Sequence, residues 1–437
     1  MAICDLVRPL EADWQATLDG VARGRGWPTS GEPARLAVQL AKLSAAYNGE
    51  GSPGGTSAAA IGTGAARLAF SFARDVPKAA GAVRELVASG ALAMPEGRPL
   101  RVLDLGAGLG ATTWGLARAL EAHGAKGELE ATWVDGDAEA LEVAQAIARA
   151  RAAAGVDAVR VVGRPVRADL NAGSDAALGK LERTGFDVVV LGQVLSELDR
   201  GEAGTPARIA RHAGLVRKLL RELVAPTGSL VVVEPALRDR TRHLHAIRDA
   251  LLADAQASGA SSPDARVTLF APCLHAASCP ALAHPGDWCH EDLAVDLPAW
   301  LVPVARGAGL RWQGLTFSYL VLRKDGRTLA AALPRRSGAP ALRVVSGPLV
   351  SKGKREAFMC GELPSPGDPP GARSGGRVRA MRLDRDESAT NAAWDELPKG
   401  TLVAIEPELD PARPRVGREA VVSELFPSFE QTQAPSD

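Results

Sequence analysis

The chain has 437 residues, 46% of them hydrophobic and 23% charged, with 51 basic against 51 acidic side chains. That length exceeds what one core usually supports, so two or three domains of ordinary globular composition are expected. Five cysteines argue against a secreted disulfide scaffold, no apolar run reaches the length of a membrane span, and the start MAICDLVRPLEADWQ has neither signal nor transit pattern, so the expected location is the cytoplasm.

Residues 1–95 form the first expected region, and it is helical. PARLAVQLAKLSAAY (33–47) and AARLAFSFARDVPKAAGAVRELVASG (65–90) repeat apolar residues at helical spacing, with a flexible break at 49–64 between them. From 96 to 330 the pattern changes to short apolar runs separated by helical segments: RVLDLG, ATWVDG, VRVVG, FDVVVLG, SLVVVEP and, late, LTFSYLVLRK. Such runs predict a parallel sheet buried on both faces, with the last strand at an edge. Beyond residue 335 helical periodicity fades. Short strand-like runs between Gly/Pro loops predict a small β domain at 335–425, OB-like as a barrel, followed by a disordered tail at 426–437. The zero net charge hides asymmetry: 203–250 and 321–357 are basic and 384–431 is acidic, a distribution that suits RNA contact as well as solvated helix faces.

RVLDLGAGLGATTWGLARAL (101–120) reads as strand, glycine turn and helix. Gly106, Gly108 and Gly110 allow a sharp turn and close approach to a ligand at the N-terminus of the following helix. A dinucleotide fingerprint satisfies the same glycines in its looser form. Asp104, two residues before the first glycine, favours the D-x-G-x-G-x-G pattern of S-adenosylmethionine-dependent methyltransferases, a Rossmann-like α/β fold. On that reading Asp104 serves the methionine end of the cofactor, Asp135 the ribose hydroxyls and Asp169 the adenine amino group. Gln193, after the fourth strand, completes the candidate cofactor set. No catalytic residue is identified; Glu197 is a candidate base, with a helix-start carboxylate as the alternative.

APCLHAASCPALAHPGDWCH (271–290) concentrates three of the five cysteines, Cys273, Cys279 and Cys289, in a segment whose prolines keep it out of regular structure. Three soft ligands suit zinc or an iron–sulfur cluster, and both usually take four. A nearby histidine or Cys360, at the end of KREAFMC, is the candidate fourth. With Cys360 the site would staple the β domain to the α/β domain. Cys4 stands apart.

The run from VVVEPALRDRTRHLHAIRDALL through APC-x5-CP and DWCH to FSYLVL, with AARLAFSFARDVPKAAGAVREL and GQVLSEL upstream, resembles the family of methyltransferase-like protein 17. These are methyltransferase-like proteins associated with the mitochondrial-type small ribosomal subunit. The likeness spans about residues 60–365. It implies a [4Fe–4S] cluster on Cys273, Cys279, Cys289 and Cys360, binding to small-subunit rRNA, and a role as rRNA methyltransferase or as a non-catalytic assembly factor; a monomer is expected. Arg208, Arg211, Arg217, Lys218, Arg238, Arg240, Arg242, Lys352, Lys354 and Arg355 are the candidate phosphate contacts. The alternative reading is a small-molecule methyltransferase with a structural zinc.

Overall fold

The computed structural model of the protein describes residues 3–48, 62–171, 178–179, 181, 185–257, 267–334, 339–364, 369 and 373–428. Most of the expected break at 49–64, the last nine residues of the expected tail and the side chain of Cys4 lie outside them.

The apolar runs become the centre of an α/β sheet. β1 (Leu100–Leu105), β2 (Gly127–Asp135), β3 (Val159–Arg167), β4 (Phe186–Gly192) and β5 (Val224–Glu234) pair in parallel in the order β3-β2-β1-β4-β5. Two further strands, β6 (Thr268–Ala271) and β7 (Glu291–Leu293), flank the cysteine segment. β8 (Leu315–Arg323) enters antiparallel between β5 and β6, and β7 pairs its first residues. Alternate residues feed two cores, as a doubly covered sheet requires. Val102, Val188 and Val190 face one core, whereas Leu103, Leu105, Val189 and Leu191 face the other.

The first core is covered by helices from the N-terminal region: α1 (Ala12–Gly24), α2 (Pro33–Asn48) and α3 (Phe72–Ala88), the last preceded by a π-helical turn at Arg67–Ser71. α3 lies directly on α4 (Ala111–Ala122). The approach needs a residue without a side chain, because a Cβ at Gly115 would stand 2.3 Å from the Val76 carbonyl oxygen. α5 (Ala138–Ala154) follows β2. The second core is closed by α6 (Pro206–Glu222) and α7 (Arg238–Ala257). The short α8 (Val302–Gly307) packs on α2.

The expected β domain is a six-stranded antiparallel sheet. β11 (Lys354–Gly361) pairs β12 (Gly376–Leu383) on one side, and β9 (Leu342–Val344) and β10 (Leu349–Ser351) on the other. β13 (Leu402–Glu406) joins β9 to β14 (Val421–Glu424). Met381 bridges Arg415 in parallel, which brings the stretch before β14 against β12.

Three regions meet at a buried ionic quartet. Arg84 and Glu85 come from α3, Glu291 from β7 and Arg343 from β9, and none is more than 4% exposed. Arg343 Nη2 donates to Glu85 Oε1 at 2.6 Å, and Arg84 Nη2 to Glu291 Oε2 at 3.1 Å. The Tyr319 hydroxyl, from β8, donates to Glu85 Oε2 at 2.8 Å. Arg343 also donates to the carbonyls of Pro272 and Gly400. Two cations and two anions balance, so the set is tolerable in the interior only while complete. Replacing one member strands its partner. Arg343→Met is expected to lose about 3–5 kcal/mol of stability, measured by urea unfolding followed by tryptophan fluorescence, and the added change Glu85→Gln should recover part of that loss.

Candidate functional site

The parallel strands β1 to β5 place their carboxyl ends along one edge, where ligands of open α/β sheets bind. Gly106 takes φ +67° and its N–H donates to Val134 O at 2.8 Å. A side chain there would be strained by the dihedral and would meet Val194 Cγ2 at 2.4 Å. Gly110, at φ +79°, caps α4. Asp104 is fully buried. Its Oδ2 accepts from the Thr112 hydroxyl (2.5 Å), the Thr113 hydroxyl (2.8 Å) and the Thr113 N–H (3.2 Å), while Oδ1 has no partner. Burial pushes its carboxyl up to about 6. Asp104 therefore braces the glycine turn against α4 and keeps one oxygen in reserve.

Asp135, at the end of β2, accepts from Gly108 N–H at 2.7 Å and from Asp137 N–H at 2.8 Å. Asp169 lies exposed after β3, beside Gly136, and accepts from Asn171 N–H. Gln193, after β4, adopts φ +61°, a conformation uncommon for a residue with a side chain, and donates its N–H to Val233 O at 2.6 Å. The four side chains and three glycines thus occupy one rim. Arg67, from the π-helical turn, also reaches this rim: it pairs with Asp137 at 3.0 Å. Glu197 sits in a turn rather than at a helix start and is paired with Arg200.

The sequence reading missed Glu234, the acid that ends the apolar run of β5. It is buried, accepts from the N–H groups of Leu195 (2.9 Å) and Ser196 (3.4 Å), and leaves Oε2 unpartnered. Its signal was a lone charge closing SLVVVEP. Burial pushes its carboxyl up to about 7. A carboxyl that holds its proton more tightly when folded stabilises the fold below its unfolded pKa, and that contribution disappears as pH rises through the folded value. The contribution of Glu234 should therefore decline between about pH 4 and 7, against an opposite contribution from His212, His243, His275 and His290, which burial holds down to about 4. Glu234→Gln is expected to remove about 3 kcal/mol of that decline, read from chemical denaturation midpoints across this range, with Asp104→Asn giving a smaller effect in the same direction.

The second site is the cysteine segment. α7 presents a stripe at Arg242, His245, Arg248 and Asp249, spaced to share one helix face. Arg242 donates to the carbonyls of Ala281, Leu282, His284 and Asp287. Arg248 donates to His275 O (2.7 Å) and Ala277 O (2.8 Å), Asp249 accepts from Cys279 N–H, and His245 Nε2 lies 2.9 Å from Cys289 O. A segment without a backbone ladder is thus satisfied by helix side chains. Arg242, expected at phosphate, is consumed by this scaffold. Arg208 is likewise not a surface group: it is 5% exposed and donates to Leu195 O and Leu198 O. Among the other basic candidates, Arg211 pairs with Asp199 and Glu202, Arg217 with Asp254, Lys354 with Glu356 and Arg355 with Asp395.

Cys360, in β11, lies between Arg343 and Arg377 in the ladder and meets His275 Nε2 at 3.2 Å. Its thiol is pushed up by burial and then by Cys273, Cys289 and Cys279, so all four sulfurs are within electrostatic reach. Burial and neighbouring thiols likewise push Cys279 up to about 11 and Cys289 up to about 12. Among the described residues no group of three or more His, Cys, Asp or Glu is arranged to hold a metal ion. Cys279 is buried and the other three cysteines are half-buried.

The sheet order with its antiparallel late strand, the glycine turn after β1 and the acid ending β2 define a methyltransferase-fold α/β protein carrying N-terminal helices and a separate antiparallel sheet. The chain belongs to the Rsm22 family, whose description is mitochondrial small ribosomal subunit Rsm22 and whose model matches residues 65–365. No curated protein matches the sequence. Similar solved structures include an arsenic(III) S-adenosylmethionine methyltransferase from Chlamydomonas reinhardtii, 18% identical over 57% of this chain and 72% of that one, at a TM-score of 0.29. Another is the precorrin-6y C5,15-methyltransferase from Geobacter metallireducens, 11% identical over 55% and 88%, at a TM-score of 0.28. No helix among the described residues is long and apolar enough to cross a membrane.

Proposed function

We propose that the protein is a methyltransferase-fold factor that binds small-subunit rRNA in ribosome assembly, carries a [4Fe–4S] cluster on Cys273, Cys279, Cys289 and Cys360, and takes S-adenosylmethionine at its glycine turn. The observation that carries this reading is that three thiols of the 271–290 segment and one from β11 come within electrostatic reach of one another in a chain of the Rsm22 family. The donor set fits a cluster. Burial raises the thiols of Cys279, Cys289 and Cys360, and a cationic group between them would reverse that. A zinc ion needs its sulfurs at about 2.3 Å from one centre, whereas a [4Fe–4S] cluster takes four cysteine thiolates on separate irons. When bound, the cluster supplies the charge that keeps the thiolates ionised and ties β11 to the 271–290 segment.

At the other site, Asp135 and Asp169 would accept from the adenosine part of S-adenosylmethionine, Asp104 Oδ1 and the backbone of Gly106, Gly108 and Gly110 would face its methionine part, and Gln193 would flank it. When bound, the cofactor supplies an electrophilic methyl group. Glu234 holds the turn that carries Gln193 to Ser196.

Protein purified without oxygen should contain iron and acid-labile sulfide in equal amounts and little zinc. Cys360→Ser should lose most of both while retaining helical circular dichroism. Full cluster occupancy in Cys360→Ser, or stoichiometric zinc in the wild type, would refute the assignment. Gly106→Ala should weaken binding of S-adenosylhomocysteine about tenfold or more, by calorimetry. Binding to small-subunit rRNA fragments should weaken steeply with salt; a flat response from low to moderate salt would remove the rRNA reading.

A further inference from the structure

The cysteine segment also carries an exposed aromatic ring that neither proposed cofactor uses. Trp288 is 40% exposed although its side chain is held at two points. Its indole N–H donates to Ala236 O at 3.1 Å, and its ring stacks on His290 with centroids 5.7 Å apart and planes 15° from parallel. On one side Asp287 is fixed by Arg377 at 2.6 Å and by Arg242 at its carbonyl. On the other, Cys289 O meets His245. An indole left exposed on a rigid base loses little freedom when a second flat group stacks on it.

The position is as informative as the ring. Ala236 lies two residues beyond the end of β5, and β1, β4 and β5 run parallel. Trp288 therefore stands on the same edge of the sheet as the glycine turn. The residues following Ala236 are Leu237, 46% exposed, and Arg238, an exposed cation at the first position of α7. A single flat ring with one small apolar neighbour is too little surface for a protein interface. An aromatic face next to a cation is what an unpaired base and its phosphate require.

We propose that Trp288 is a stacking platform for an unpaired nucleobase of single-stranded RNA, with Arg238 meeting the adjoining phosphate. This rests on the RNA-binding reading above and names the form of RNA recognised. The test uses the full chain purified without oxygen and fluorescence anisotropy with a labelled single-stranded oligoribonucleotide and a duplex of equal length, each at two salt concentrations. Trp288→Ala should weaken single-strand binding roughly 5- to 100-fold, leave duplex binding and the salt slope unchanged, and keep the visible absorbance of the wild type. Trp288→Phe should keep most of the affinity, and Arg238→Ala should reduce the salt slope. The platform is refuted if Trp288→Ala binds single strands as the wild type does, if it loses single strand and duplex equally, or if Trp288→Phe falls as far as Trp288→Ala with absorbance intact. A wild type that binds neither RNA refutes the rRNA reading itself, and the platform for a base with it.

Discussion

The three regions of this chain meet at one buried set of charges, Arg84, Glu85, Glu291 and Arg343. Each member belongs to a different stretch of sequence or faces a different neighbour, and none has water to fall back on. Hydrophobic contact alone would let the N-terminal helices, the α/β sheet and the β domain slide against one another, because apolar contact has no direction. A charge-assisted hydrogen bond does. The quartet fixes α3 to β7, β8 and β9 in a single arrangement, and Arg343 extends it to the carbonyl of Pro272 at the mouth of the cysteine segment.

From that anchor the cysteine segment is built by α7. Arg242, His245, Arg248 and Asp249 act as a row of donors and acceptors that replace the missing strand partners, so the loop is ordered without being regular. The same helix begins beside the β5 end that lines the glycine-turn edge. The two candidate sites are thus joined through one element, with its first residues at the sheet rim and its middle under the thiols.

Much of the α/β domain is legible in the residues, because continuous apolar runs such as FDVVVLG and SLVVVEP have few places to go except a sheet covered on both faces. The glycine turn is legible for a similar reason: Gly106 and Gly110 take dihedrals that other residues resist. What could not be read is pairing across long separations. Glu85 and Arg343 are 258 positions apart, and neither pattern nor propensity hints that they touch. Arg208 and Arg242 looked like surface cations because arginines in basic helices usually are; in the fold both clamp backbone carbonyls, Arg208 buried and Arg242 half-buried. Glu234 was visible only as a charge closing an apolar strand, a signal that needs the neighbouring turn before it means anything.

The division of the four thiols along the chain has a consequence for the order of events during synthesis. Cys273, Cys279 and Cys289 leave the ribosome as a group, but Cys360 follows only after the late strand β8 and the opening strands of the β domain. Because domains fold as they emerge, the α/β sheet can close while the thiol set is still one short. On the proposed cluster assignment, the set would be completed only once the β domain has been made and docked, after the sheet that receives it.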